Sequence, residues 1–152
     1  MTGKFTILIL AMLTLNACQL NNKTTNSSSW YMRSEITWWE ARPEFRLRKN
    51  EEGNLLETEF SMISDGQEYH LKITDKVLSK DKNCGAPKNA NRQLPLDTWR
   101  PLSCFYSGDE LTPLAMGYRF NPTKAENYVL HVKLTEGKPS AIKVSEFQEA
   151  KH

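Results

Sequence analysis

Apolar residues recur at every second position over much of this chain, the period of extended strands with one buried and one wet face. Leu56, Thr58, Phe60 and Met62 alternate with Glu57, Glu59 and Ser61, and Tyr69, Leu71 and Ile73 alternate with His70, Lys72 and Thr74. Leu114, Met116, Tyr118 and Phe120 interleave with Ala115, Gly117 and Arg119. Tyr128, Leu130, Val132 and Leu134 interleave with Val129, His131 and Lys133. Further strands are expected around Phe45 and Leu47 and over residues 140–147, and no stretch carries the 3.6-residue period of a long helix.

Turn chemistry falls between these runs. Glu51-Glu52-Gly53-Asn54 separates the Phe45 region from the strand at 55–63, and Asn121-Pro122-Thr123-Lys124 closes another connection. Ser64-Asp65-Gly66-Gln67 predicts a hairpin joining 55–63 to 68–75, since Asp-Gly between alternating runs favours a tight turn. Glu136-Gly137-Lys138-Pro139 joins 127–135 to 140–147. Short antiparallel strands at this spacing predict an all-β fold, an antiparallel β-sandwich of about 7–8 strands. Residues 80–98 break the rhythm with Gly85, Pro87, Pro95 and several asparagines; a connection that long is functional or tied down.

The amino-terminal end reads differently. Lys4 precedes an apolar run at 5–15, which is shorter than the roughly 20 residues a bilayer span needs but fits the apolar region of a signal peptide. The run ends in Leu15-Asn16-Ala17-Cys18, which resembles the lipobox of bacterial lipoprotein precursors. That resemblance implies cleavage before Cys18, diacylglycerol on its sulfur and an acyl chain on its new amino group. Gln19, where inner-membrane retention uses Asp, points within the same resemblance to the outer membrane, on its periplasmic or its surface face. Residues 1–17 are then the signal peptide. Residues 18–29 are the lipidated cysteine and a polar, flexible tether spanning some 15–20 Å, and 30–152 form one domain.

With Cys18 assigned to lipid, Cys84 and Cys104 remain, and an even pair in an exported domain reads as a disulfide. It would close a loop of about 20 residues, worth roughly 3 kcal/mol in loop-closure entropy. Twenty basic residues against 18 acidic ones, with no basic block, imply no nucleic-acid partner. No Gly-x-Ser-x-Gly or His-Glu-x-x-His occurs. His70 and His131 fall on the outward faces of their strands, read as solvated, and His152 ends the chain, so no metal ligand set converges. Asp109-Glu110 and Glu51-Glu52 sit in turns, where solvation accounts for them. Neither an enzyme nor a cofactor is implied.

Residues 30–85 carry the informative pattern: Tyr31, Met32, Arg33, Ile36 and Trp39, then Asp65-Gly66-Gln67, Tyr69, Leu71, Lys72, Ile73 and Asp75, and finally Asn83-Cys84-Gly85. This layout resembles the immunoglobulin-like sugar-binding sandwiches of starch-active proteins, namely the glycogen-binding domain of AMP-activated kinase β subunits and the accessory domains of bacterial pullulanases. The resemblance implies α-glucan or another glycan as ligand. An indole would stack on the apolar face of a sugar ring while a cation or amide fixes hydroxyls. Continued alternation past Arg33 places Trp38 in the core with Met32 and Ile36, and Trp39 outward with Arg33; Trp30 is also expected in the core. The candidate binding residues are therefore Trp39, Lys72, Arg33 and, from the loop region, Trp99. Ser34 stands at the family's strand glycine, and Leu78, which has no π face, stands near its second stacking tryptophan.

Two functions follow. One is a non-catalytic, lipid-anchored module that binds a glycan; it gains if Trp39 is accessible beside Lys72 in a shallow face. The other is an interaction lipoprotein, such as a pilot or assembly factor of an envelope or secretion machine, with exposed aromatics as a hot spot. The latter gains if Trp39 is packed and apolar surface lies at loop tips or an open sheet edge.

Overall fold

The computed structural model describes residues 29–104 and 116–148. The signal peptide, Cys18 and residues 19–28 lie outside the described residues, as do Asp109-Glu110, Leu114, Ala115 and His152. Among the described residues are nine strands in two antiparallel sheets, an all-β sandwich.

The first sheet is built on β4 (Tyr69–Thr74), flanked by β1 (Tyr31–Arg33), β5 (Asn83–Cys84) and β7 (Tyr118–Phe120). Ile73 pairs with Met32 on one edge and with Cys84 on the other, and β7 takes the start of β4 through Tyr69↔Phe120 and Leu71↔Tyr118. The second sheet runs in the order β2 (Arg48–Lys49), β3 (Leu55–Met62), β8 (Glu126–Thr135), β9 (Lys138–Glu146) and β6 (Arg100–Pro101).

The core lies where the predicted inward residues meet. Phe60 and Tyr128 of the second sheet stack at 5.7 Å, and Phe120 of the first sheet meets Tyr128 edge-on at 5.2 Å. This aromatic cluster spans both layers and is of the kind in which a Phe→Ala change costs about 3–5 kcal/mol. Leu71, Ile73, Leu130, Val132, Ile142 and Val144 complete it, all fully buried.

The turn at Glu136-Gly137 makes the expected hairpin between β8 and β9, with both residues at positive φ, and Gly53 turns β2 into β3. Ser64-Asp65-Gly66-Gln67 does not make a hairpin. β3 belongs to the second sheet and β4 to the first, so the segment carries the chain from one layer to the other. Asp65 still organises a local turn, accepting hydrogen bonds from the Gln67 N–H and the Tyr69 hydroxyl. Asn121-Pro122-Thr123-Lys124 likewise crosses between layers, from β7 to β8. The region of Phe45 is a 3-10 turn (Pro43–Phe45) leading into β2 rather than a long strand.

Cys84 and Cys104 form the expected disulfide. It joins β5 of the first sheet to the residues just after β6 of the second. Alongside it the Gly85 and Ser103 backbones exchange two hydrogen bonds of 3.0 and 2.9 Å. The bond therefore staples one layer to the other at an edge.

Candidate functional site

β1 ends at Arg33 because Ser34 and Thr37 close a turn: the Ser34 N–H donates to Thr37 Oγ1 at 3.1 Å and the Thr37 hydroxyl donates to the Ser34 carbonyl at 3.0 Å. The chain then makes a 3-10 turn (Glu35–Thr37). The alternation expected to continue through Trp39 stops here, and the two tryptophans exchange roles. Trp38 is 76% exposed, while Trp39 is half-buried. Trp30 is in the core as expected.

Trp38 and Trp39 both adopt the left-handed conformation, with φ of 54° and 60°. For a bulky residue this costs of order 1–3 kcal/mol and persists only where the surroundings over-determine it. The surroundings do so. Trp38 and Trp39 donate to the carbonyls of Glu35 and Ser34, each at 3.0 Å, and Glu40 donates to Thr37 at 3.1 Å. Glu35 clips the turn to β4, accepting from the His70 N–H at 2.7 Å and pairing with His70 Nδ1 at 2.8 Å. His70 thus points outward from its strand, as expected, but is held by a carboxylate rather than solvated.

A second loop lies against the first. After β4 the Asp75 carboxylate gathers the chain, accepting from the N–H groups of Val77 and Ser79 and from the Ser79 hydroxyl. Burial pushes this carboxyl up, but those hydrogen bonds and the Lys82 charge outweigh it and hold Asp75 below the usual carboxylate range. The loop leaves Val77 77% exposed and Leu78 exposed at φ 58°.

Arg33 bolts the two loops together. Its guanidinium donates to the carbonyls of Trp39 and Lys76, more weakly to that of Asp75, and to Thr74 Oγ1. One side chain thereby fixes the Trp38–Trp39 turn beside the Val77–Leu78 loop. Burial lowers its pKa, against the pull of Asp75 and Glu40.

Two of the expected binding residues are accordingly internal. Arg33 is only 7% exposed, its donors directed at backbone oxygens. Lys72 is 3% exposed rather than outward. Gly117 lies against it, and a Cβ there would fall 3.6 Å from Lys72 Cγ and 3.1 Å from His70 Cβ. Neither residue presents its charge to a ligand. Trp99 is elsewhere: it packs on the outer face of the second sheet, edge-on to His131, with Lys133 Nζ 4.2 Å and Lys143 Nζ 5.4 Å from its ring centroid. It does not join the Arg33-bolted loops.

What the structure assembles instead is an accessible indole, Trp38, on one loop and exposed Val77 and Leu78 on another, the two loops tied together underneath by Arg33. The exposed Lys76 and Glu40 belong to the same loops. Such a surface can offer one flat apolar face with polar groups at its rim, the chemistry of ring stacking and hydroxyl bonding. The sequence signal for it is the Ser34-x-x-Thr37 spacing, which marks a turn before the tryptophans. Among the described residues no group of His, Cys, Asp and Glu converges as a metal site.

No family model matches this chain, and no curated protein matches it. A solved structure described as "Ligand induced structure of AmyP-SBD", a starch-binding domain, superposes with a TM-score of 0.51 at 15% identity, covering 97% of this chain and 100% of that one. The two share a fold.

Proposed function

We propose that this protein is a non-catalytic carbohydrate-binding module, carried on an outer-membrane lipoprotein, that holds α-glucan on the Trp38 loops. The observation that carries the proposal is Trp38 itself. It is a large aromatic, three-quarters exposed and fixed in a strained backbone conformation by Arg33 and Glu35 from below. Strain maintained at an exposed aromatic is a mark of a built site. The fold shared with a starch-binding domain supports the class of ligand, and the lipobox resemblance at Cys18 supports the anchor. In this reading Trp38 stacks on a glucose ring, Val77 and Leu78 extend the apolar face in place of a second aromatic, and Arg33 positions both loops.

Titration with maltoheptaose and glycogen, followed by tryptophan fluorescence, tests the ligand. A response at millimolar sugar that Trp38→Ala removes, and that Trp99→Ala leaves, is expected. A silent wild type would exclude the sugar. Acylation is read separately, by mass spectrometry of the native amino terminus: an intact, unmodified end would exclude the anchor.

One observation favours a protein partner instead. The apolar surface of Trp38, Val77 and Leu78 lies at loop tips with Trp39 half-buried, the arrangement expected of an interaction hot spot. A photo-crosslinker at position 77 that captures one defined envelope protein in cells, together with a silent sugar titration, would establish that reading.

A further inference from the structure

The second sheet carries a groove that the Trp38 loops do not use. Its volume is about 620 Å3, and it lies over the outward residues of β2, β3, β8 and β9. That size is within the range of roughly 300–1,000 Å3 typical of small-molecule sites.

Strand register sets its floor in rows. One row places Arg48, Glu57, His131 and Lys143 opposite one another across four strands. The adjacent row places Glu59, Val129 and Ser145 side by side. The first row is locked: His131 Nδ1 meets Glu57 Oε1 at 2.7 Å, its Nε2 meets Ser145 Oγ at 2.6 Å, and Trp99 closes edge-on at the same ring. The outward histidine read from the sequence as solvated is thus held on three sides, by Glu57, Ser145 and Trp99.

Around this fixed centre stand groups with hydrogen-bonding capacity unspent. The side chains of Arg46, Arg48 and Glu59 line the groove and make no hydrogen bond or ion pair among the described residues. Exposed Phe147 forms part of the wall beside Val129.

The charges alternate in sign. A groove for a phosphate or an acidic polymer would carry one sign, which focuses the field on a charged ligand. Interspersed guanidinium and carboxylate groups cancel at a distance but each bonds neighbouring hydroxyls in a bidentate way at contact. Together with an exposed aromatic wall, that lining matches a neutral polyhydroxylated ligand.

We propose that this groove is a second glycan-binding site, taking a short stretch of neutral glucan, with Phe147 stacking on a sugar ring and Arg48 and Glu59 bonding its hydroxyls. The ligand class rests on the reading of the Trp38 loops as a sugar site; the location does not. The two sites belong to different sheets, so one molecule would engage a polymer at two places, and its avidity for glycogen would exceed its affinity for a short oligosaccharide.

The test uses the full mature chain in a detergent without a sugar headgroup. Calorimetry with maltoheptaose and retention on glycogen are compared for wild type, Trp38→Ala, the groove variant Phe147→Ala/Arg48→Ala, and all three changes together. All substituted residues are exposed, and near-ultraviolet circular dichroism checks the fold. Expected are about two oligosaccharides per wild-type chain, about one for Trp38→Ala and for the groove variant, and none for the triple change. Glycogen retention should fall at least roughly tenfold in either partial variant. A groove variant that binds like wild type would overturn the second site and leave the Trp38 site standing. A Trp38→Ala chain with no residual binding would also overturn it. A wild type that binds neither ligand would overturn both.

Discussion

The two sheets carry the same period-two pattern and use it in opposite ways. On the second sheet the pattern means what it conventionally means: Leu56, Thr58, Phe60 and Met62 face the core, while Glu57, Glu59 and Ser61 face outward. On the first sheet the outward positions are themselves covered. Lys72 and Thr74 on β4, and Arg33 on β1, are buried, and Arg33 and Thr74 bond carbonyls of the loops that follow their strands. The difference shows that alternation marks which residues face one core and is silent about whether anything packs on the other side. A short sheet roofed by loops turns its polar residues into fasteners, and the fasteners hold an aromatic up to solvent.

The contrast can be broken most sharply at Arg33. Arg33→Met leaves at least the Trp39 and Lys76 carbonyls without their donor, at roughly 1–3 kcal/mol each. Urea unfolding should show a loss of about 3–5 kcal/mol for that variant, whereas Glu59→Gln on the open face should stay within about 0.5 kcal/mol. Equal losses would show that the two faces are not built differently. Next in size is the inter-sheet staple. Removing it by Cys84→Ser/Cys104→Ser should lower stability by about 3 kcal/mol, read as a fall in melting temperature. The Trp38 emission should change well before global unfolding, because the stapled strand β5 also carries one end of the 75–82 loop, where the Asp75 N–H donates to the Lys82 carbonyl at 3.1 Å.

The smallest effect is acid sensitivity. The folded Asp75 carboxyl is held below its ordinary value, so its contribution is complete above a pH of about 4, the unfolded value. It is lost as the pH falls through the folded value beneath that. Asp75→Asn should therefore be less stable than wild type at neutral pH and should converge on it in acid, as followed by circular dichroism at a series of pH values.

Much of the layering was legible in the pattern, for identifiable reasons. β8 and β9 alternate over long stretches and are joined by a glycine turn, so sequence neighbours are also spatial partners. The disulfide followed from Cys84 and Cys104 being the pair left once Cys18 is set aside by the lipobox resemblance. The Asp65-Gly66 turn misled because a local turn signal is the same whether the next strand pairs with the last or crosses to the other layer. Lys72 misled because residues distant in sequence pack against it, among them Gly117 just before β7. The tryptophans changed places because β1 ends at Arg33, and past that point alternation no longer decides which residues face inward; Ile36 still packs against the core while Trp38 turns out. The exposed site is thus the part least readable in advance: it depends on where regularity stops.

The shortness of β1 has a mechanical consequence. It holds to β4 through only three residue pairs, from Tyr31↔Thr74 to Arg33↔Lys72. It is also the first element after the stretch expected to run to the membrane. In the proposed reading, tension between the lipid anchor and a bound glucan would enter at Trp30 and run along this strand straight into the Trp38 turn, with the Arg33 guanidinium passing part of it to the Lys76 loop. A strand of three residues would then carry the load between anchor and cargo, with Arg33 as the rivet that decides whether grip or strand gives way first.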